Sequence, residues 1–151
     1  MLTVRRAGES DAAALSVIAD LAYRDYVPRI GRRPAPMTAD YANAVRSGQV
    51  WVAAADDEVI GLIVLAARPD HLLIENIAVL PAWQRRGIGA RLMALAEDQA
   101  GELGLGEIRL YTNEAMTENL DYYPARGYAE THRAGQDGFR RVFFSKRLAS
   151  R

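Results

Sequence analysis

The feature that most constrains the fold is a strand pattern that stops at Pro81 and leads into a helix start containing Gly87 and Gly89. At the start of a helix about four backbone N–H groups lack partners, and together with the helix dipole they form an anion site. The two glycines lack a Cβ, so a bulky phosphate can approach the backbone closely. Arg85 and Arg86 add positive charge. The stretch therefore predicts a strand–turn–helix unit that binds a pyrophosphate.

Two common nucleotide-binding motifs do not fit this turn. A dinucleotide fingerprint needs a third glycine where Leu92 stands, and a P-loop needs Gly-Lys-Ser/Thr, which the sequence lacks. Because short glycine motifs are weak signals, a turn that binds nothing stays an alternative on this motif alone.

The composition predicts one globular domain covering residues 1–151. Hydrophobic residues make up 50% and charged residues 25% of the sequence, which is ordinary for a folded soluble protein. The formal net charge is zero, and this argues against a dedicated nucleic-acid binder, which usually carries a basic excess.

The sequence also limits metal and disulfide chemistry. It has no cysteine, which excludes disulfides, thiolate zinc sites and cysteine nucleophiles. The two histidines, His71 and His132, have no partner at metal-ligand spacing, so we expect no metal.

Residues 1–6 contain no apolar segment of signal-peptide length. The longest apolar run, residues 59–67, is far shorter than the ~20 residues that span a bilayer. We expect a cytoplasmic protein without a membrane segment.

Periodicity along the chain predicts the element order β-α-α-β-β-β-α-β-α-β-β. This is a mixed α/β fold with a largely antiparallel sheet and one parallel crossover through the helix after Pro81. A loop is expected at 29–36, and Thr38 is expected to cap the second helix. The predicted strands are 2–7, 50–55, 59–67, 71–80, 107–112, 128–132 and 139–147, and the predicted helices are about 11–26, 39–46, 87–101 and 116–126.

Three stretches resemble motifs of the GCN5-related N-acetyltransferases (the GNAT family). Residues 84–89, Gln-Arg-Arg-Gly-Ile-Gly, match the family signature Gln/Arg-x-x-Gly-x-Gly/Ala, and residues 77–81 match the strand that precedes it. Residues 123–128, Tyr-Pro-Ala-Arg-Gly-Tyr, look like the family's Tyr-x-x-x-Gly-Phe/Tyr. The element order also fits over nearly the whole chain, so the resemblance implies a GNAT-like acyl-CoA N-acyltransferase fold.

The resemblance implies a function and a cofactor site. The activity would be transfer of the acetyl group of acetyl-CoA to a primary amine of a small molecule or peptide, by direct attack in a ternary complex. The alternatives are an acyl-CoA-binding sensor of the same fold without turnover, and an interaction protein that binds no nucleotide. The residues implied in binding acetyl-CoA are Ile77, Ala78, Val79, Gln84, Arg85, Arg86, Gly87, Ile88, Gly89, Ala90, Asn119 and Tyr123.

Two positions depart from the family pattern. Many members have Asn seven residues before the motif tyrosine and Ala four before it, whereas this chain has Met116 and Asn119. Asn119 lies one helical turn before Tyr123, on the same face, so it could still contact the cofactor.

Two side chains are candidates for the chemistry. Glu75 is a charged residue in an otherwise apolar strand, where a carboxylate needs a cleft or a partner, and it is the candidate general base. Strand alternation predicts that Glu75, Ile77 and Val79 share one face. Tyr123 is the candidate general acid toward the CoA sulfur. The alternatives are a structural Glu75 paired with an arginine, and a packing role for Tyr123 with Tyr122 as the polar group.

The loop between the first two helices usually sets acceptor specificity in this family. Here it carries the candidate acceptor-binding residues Tyr26, Arg29, Arg32 and Arg33, which suit a carboxylate or phosphate on the acceptor. A solvated basic loop is the alternative, as is contact of Arg32 and Arg33 with the adenosine phosphates or with a subunit of a homodimer. The acceptor itself is not identified by the sequence.

Overall fold

The computed structural model describes residues 1–149, and that part of the chain forms one sheet flanked by helices. The strands are β1 (Leu2–Arg6), β2 (Val50–Ala55), β3 (Glu58–Ala67), β4 (Leu72–Val79), β5 (Glu107–Asn113), β6 (Ala129–Gln136) and β7 (Phe139–Arg147). The helices are α1 (Ala12–Tyr23), α2 (Val27–Ile30), α3 (Tyr41–Arg46), α4 (Ile88–Glu102) and α5 (Thr117–Ala125).

The seven strands lie in the order β1-β2-β3-β4-β5-β7-β6. Every neighbouring pair is antiparallel except β4 and β5, which are parallel and are connected through α4. The mixed α/β fold with one parallel crossover is therefore confirmed. A strand buried on both faces reads as a continuous apolar run, and β3, buried from Ile60 to Ala66, lies near the centre of the sheet accordingly.

Apolar side chains form one core on each face of the sheet. On one face α4 and α5 pack against β5 and β7, with Leu92, Ile108 and Phe144 among the fully buried residues. On the other face α1 and α3 pack against β2 and β3, where Leu15 and Leu62 are buried. Burial of this apolar surface, worth about 25 cal/mol per Å², is the main favourable contribution to the stability of the sheet–helix layers.

The segment between α1 and α3 differs from the prediction. Part of the expected loop is helical, because Pro28 suits the first turn of α2 and Gly31, at φ +86°, ends it. The expected cap Thr38 is wrong: the carboxylate of Asp40 accepts the backbone N–H of Asn43 at 3.0 Å and caps α3.

The last hairpin is longer than predicted. β6 continues to Gln136, and the turn consists of Asp137 and Gly138, at φ +54° and +81°. Positive φ at both central residues is the hairpin turn that matches the strand twist. Within residues 1–149, no helix has both the length and the apolar character needed to cross a bilayer.

Candidate active site

The site is built around a gap between two strands. β4 and β5 pair only from Leu72 to Ile74 against Ile108 to Leu110. Beyond these residues the strands diverge, so the β4 backbone from Glu75 onward has no ladder partner on the β5 side. A cavity of about 810 Å³ opens there, and Ile77, Ala78 and Val79 line it.

A bulge interrupts β4 at Glu75. Ile74 lies opposite Leu65 and Asn76 opposite Val64, so Glu75 has no opposite residue on β3. As a result Ile74 and Ile77 both pack in the α4 core, although strict alternation would place them on opposite faces. Alternation is therefore broken between Ile74 and Ile77, whereas Ile77 and Val79 share a face as predicted.

Glu75 faces the cavity and also has an arginine nearby. Its side chain is 37% exposed, and its Oε1 lies 3.8 Å from Nη2 of Arg68, an ion-pair distance longer than a hydrogen bond. The carboxylate is therefore both accessible from the cavity and close to a positive charge.

A buried hydrogen-bond network fixes β4 next to this bulge. The Tyr23 hydroxyl lies 2.7 Å from Oδ1 of Asn76 and 2.9 Å from the carbonyl oxygen of Ile77. Asn76 Nδ2 donates to the Tyr41 hydroxyl at 2.7 Å, and that hydroxyl donates to the Pro36 carbonyl at 2.6 Å. Burial raises the pKa of both tyrosines, so they stay neutral donors. The sequence signal for this network is Asn76 itself, a polar residue in an apolar strand.

The turn before α4 leaves a run of backbone donors free. Within residues 1–149, the N–H groups of residues 85–90 have no hydrogen-bond acceptor. Gly87 is the N-cap residue of α4 and has a φ of +82°, and Arg85 also has a positive φ of +65°. Gln84 Nε2 donates to the Val79 carbonyl at 3.1 Å and ties the turn to β4. Such a run of free donors at a helix start suits a phosphate group.

The predicted turn residues divide into those at the cavity and those away from it. Ile88 is buried in the α4 core, so only its backbone is available, and Arg86 stacks on Trp83, with its Cζ 4.9 Å from the ring centroid. The predicted turn residues that line the cavity are Gln84, Arg85, Gly87, Gly89 and Ala90.

Tyr123 is held by aromatic neighbours and has a free hydroxyl. Its ring packs against Tyr122, Tyr128 and Phe144 at centroid distances of 5.3, 6.0 and 5.7 Å. Burial raises the pKa of Tyr123 well above its ordinary value, so the phenol stays protonated. Its hydroxyl makes no hydrogen bond to the described part of the chain, and Tyr123 lines the cavity. Tyr122 also lines it, with its hydroxyl 3.6 Å from where a Cβ on Gly89 would lie.

Comparison with known proteins identifies the family. The family model described as "Acetyltransferase (GNAT) family" matches residues 15–128, more than half of the chain. The chain belongs to the GNAT family of acetyltransferases.

Individual GNAT relatives agree with this assignment. The chain is similar to the uncharacterized N-acetyltransferase YvbK of Bacillus subtilis, with 33% identity over 82 residues. That match covers 54% of this chain and 53% of YvbK, so it spans about half the length of the curated relative.

Two solved structures share the GNAT fold. The PaiA N-acetyltransferase of Thermoplasma acidophilum, in complex with coenzyme A, superposes with a TM-score of 0.82 at 18% identity, covering 98% of this chain and 99% of that one. The ribosomal-protein-S18-alanine N-acetyltransferase of Escherichia coli has a TM-score of 0.77 at 18% identity, covering 100% and 96%. At this identity the likeness concerns the fold.

Asn119, at one of the two positions where this chain departs from the GNAT pattern, supports the wall of the cavity. Its Nδ2 donates to Oγ1 of Thr112 at 3.0 Å and thereby ties α5 to β5. Its amide oxygen accepts no hydrogen bond within residues 1–149, and Asn119 lines the cavity. The amide oxygen of Asn119 is therefore available to accept a hydrogen bond from a molecule bound in the cavity.

The four predicted acceptor-loop residues are mostly engaged with the protein itself. Tyr26 lines the cavity and donates to Glu118 Oε2 at 2.7 Å, while Arg29 donates to Oε1 of the same carboxylate at 2.6 Å. Burial, and then the hydrogen bond to Glu118, raises the pKa of Tyr26 to about 12. Arg33 points to Asp20 at 3.5 Å, and Arg32 is discussed below with β7. Neither Arg29 nor Arg33 offers a free guanidinium to the cavity.

Arg141 on β7 is a cavity-lining residue that none of the sequence motifs includes. Its side chain is buried beside Tyr111 and Phe139. β7 also contains Arg140, Lys146 and Arg147, so no sequence signal distinguishes Arg141 from its neighbours. No group of three or more His, Asp or Glu side chains within residues 1–149 is arranged to hold a metal ion.

Proposed function

We propose that this GNAT protein transfers the acetyl group of acetyl-CoA to a primary amine of a small molecule or peptide, by direct attack in a ternary complex. The observation that carries the proposal is the run of free backbone N–H groups at residues 85–90, beside the gap between β4 and β5. A pyrophosphate at one end and an extended chain along a strand edge are what coenzyme A offers to such a site. The coenzyme A complex of the structurally similar PaiA enzyme supports it.

The donor would be held mainly by backbone groups. The N–H groups of residues 85–90 would bind the pyrophosphate, as helix starts bind phosphates generally. The free edge of β4, from Ile77 to Val79, would bind the pantetheine amides and the acetyl carbonyl. A hydrogen bond to that carbonyl stabilises the oxyanion that forms during attack.

The acceptor must lose a proton before it reacts. An alkylamine with a pKa of ~10.4 is almost wholly protonated at neutral pH, so a base is required. Glu75 is the carboxylate at the bulge that faces the cavity, and it accepts the ammonium proton directly or through a water molecule.

The leaving group must receive a proton. The amine nitrogen bonds to the acetyl carbon and releases its second proton to solvent. The C–S bond breaks, and the sulfur takes a proton from Tyr123. Because burial raises the pKa of Tyr123, this phenol carries its proton at neutral pH and has no protein acceptor within residues 1–149 competing for it. Its hydroxyl is regenerated from solvent or from Glu75 after each turnover.

The test is a screen of amines for acetyl-CoA-dependent release of CoA, with thermal unfolding in acetyl-CoA as the binding assay. A ligand at 100 times its Kd stabilises a protein by about 2.7 kcal/mol, so binding is easily detected. Binding together with acetylation of any amine supports the proposal. Binding without acetylation would favour the sensor module, and no binding at millimolar acetyl-CoA would favour the interaction protein.

Cytoplasmic location and a homodimer remain predictions.

A further inference from the structure

A second charged side chain faces the cavity from the sheet. Arg141 is the third residue of β7, with its backbone opposite Asn113 of β5 and Ala134 of β6. Its side chain is only 8% exposed. A guanidinium at this depth loses much of its hydration, and that loss must be offset by partners.

Within residues 1–149, no carboxylate lies within hydrogen-bond distance of the Arg141 guanidinium. Its Nη1 donates to the neutral amide oxygen of Gln136 at 2.7 Å. The nearest carboxylate, that of Asp137, is 3.8 Å away, beyond hydrogen-bond distance, and its side chain is 78% exposed. Nε and Nη2 make no hydrogen bond to the described part of the chain. An arginine can donate five N–H groups, so most of its capacity is unused.

The orientation of Arg141 is fixed by two aromatic rings. Its Cζ lies 4.3 Å from the centroid of Tyr111 and 5.4 Å from that of Phe139. Stacking of this kind holds a guanidinium plane and leaves its edge available. Within residues 1–149, the Tyr128 hydroxyl is the only fully buried side-chain polar atom that has no hydrogen-bond partner. Nε and Nη2 of Arg141 have no partner either, so they are not fully buried. Because Arg141 lines the cavity, the accessible edge is reached from there.

The surroundings favour an anion at this end of the cavity. Arg32 does not line the cavity, but its Cζ lies 4.1 Å from the centroid of Phe139, the ring that also contacts Arg141. Its Nη1 donates to the Asp137 carbonyl at 3.4 Å, and it makes no ion pair in the described chain, so it adds positive charge near Arg141. Three carboxylates line the cavity. Glu118 is bound by Arg29 and Glu75 lies near Arg68, whereas Asp40 caps α3 by accepting the Asn43 N–H. A fixed, accessible guanidinium edge matches the two oxygens of a carboxylate.

We propose that Arg141 binds a carboxylate of the acceptor, so that the acceptor is a small amine that also carries a carboxylate. This inference rests on the proposed function and names its substrate class. The carboxylate takes no part in bond making. The amine gives its first proton to Glu75, forms the new C–N bond and releases its second proton to solvent, and CoA leaves with a proton from Tyr123 on sulfur. The contact therefore acts in binding and should appear in KM rather than in kcat.

The experiment compares free amino acids, with the amine at either the α or the terminal carbon, with their carboxamides. Each pair is measured with the wild-type protein, with Arg141→Gln, and with the control Arg140→Gln. Arg140 is the adjacent residue, but its side chain is exposed and paired with Glu114. Comparing each variant with wild type on the same acceptor cancels differences in amine basicity. Thermal shift with acetyl-CoA verifies that each variant is folded.

We expect wild type to prefer the carboxylate acceptor, and Arg141→Gln to lower its kcat/KM by about 10- to 100-fold through KM. The carboxamide should change by less than about twofold, and Arg140→Gln should change neither. If Arg141→Gln fails to fold, Arg141→Lys keeps the charge but loses the bidentate edge, and a selective loss on the carboxylate acceptor is again expected.

The inference is overturned if wild type acetylates the carboxamides as well as the acids, or if the variant lowers both series equally. It is also overturned, with the proposed function intact, if only amines without a carboxylate are acetylated. A protein that binds acetyl-CoA but acetylates no amine overturns the proposed function, and this inference with it.

Discussion

Glu75 and Tyr123 face one cavity but are held in different ways. The glutamate lies at a β-bulge, whereas three aromatic rings pack around the tyrosine. Replacing either should therefore affect the chemistry more than the fold, because neither makes a hydrogen bond within residues 1–149 that the substitution would break.

Glu75→Gln should lower kcat by about 100-fold or more while acetyl-CoA affinity stays the same, since a general base contributes 10²–10⁴-fold. Steady-state kinetics on any acceptor found in the amine screen checks this. Glu58→Gln, an exposed change at the start of β3, is the control. Equal turnover by Glu75→Gln and wild type would remove Glu75 from the mechanism.

Tyr123→Phe should also lower kcat, with Tyr122→Phe as the neighbouring comparison. Urea unfolding should show a stability change within about 1 kcal/mol, because the lost hydroxyl has no protein partner. A larger effect on turnover in Tyr122→Phe than in Tyr123→Phe would transfer the acid role to Tyr122.

Tyr128→Phe should leave the free energy of unfolding unchanged or raise it by about 1 kcal/mol, since it removes a buried hydroxyl that has no partner within residues 1–149.

At the scale of elements, the start of α4 provides the donors that the proposed function needs. An arginine at Gly89 would enter the space in front of them, near the Tyr122 hydroxyl. Gly89→Arg should abolish the thermal shift with acetyl-CoA in a folded protein. Gly106→Arg is the control, because Gly106 lies in open space before β5. Unchanged affinity in Gly89→Arg would mean that the phosphates bind elsewhere.

The β5–β7 pairing contains a carboxylate that links stability to pH. Hydrogen bonds from Arg109 and then from Ser145 lower the pKa of Glu107 from 4.5 to about 2. A lowered pKa in the folded state adds stability above pH 4.5, and this is lost as the pH falls toward 2. Glu107→Gln should therefore be less stable at neutral pH and should lose less stability between pH 5 and about 2. Urea unfolding across this range, with Glu58→Gln as control, measures the difference. If the free energy of unfolding changed equally with pH in Glu107→Gln and wild type, Glu107 would not be the source of this pH dependence.

Across the whole molecule, local chemistry was predictable and long-range contacts were not. The turn at residues 84–89 could be predicted because its glycines and the start of the helix lie close together in the sequence. The bulge at Glu75 depends on the register with β3, and the Tyr23–Asn76–Tyr41 network joins three separate elements, so neither follows from a local pattern.

The arginines show the same limit. Charge in the acceptor loop predicted anion binding, but Arg29 and Arg33 pair with carboxylates on α5 and α1. Arg141, in contrast, matches no motif and becomes apparent only because β5 and β7 bring Tyr111 and Phe139 around it. A sequence gives the number of charges, whereas the fold decides which of them have partners.

The most direct test of the account is an NMR titration of the ¹⁵N-labelled protein with acetyl-CoA. We predict that the largest shifts of backbone amide signals fall on residues 85–90, with a second set at Ile77 to Val79. The account would be contradicted if those signals stayed in place while acetyl-CoA bound and shifted amides elsewhere on the protein.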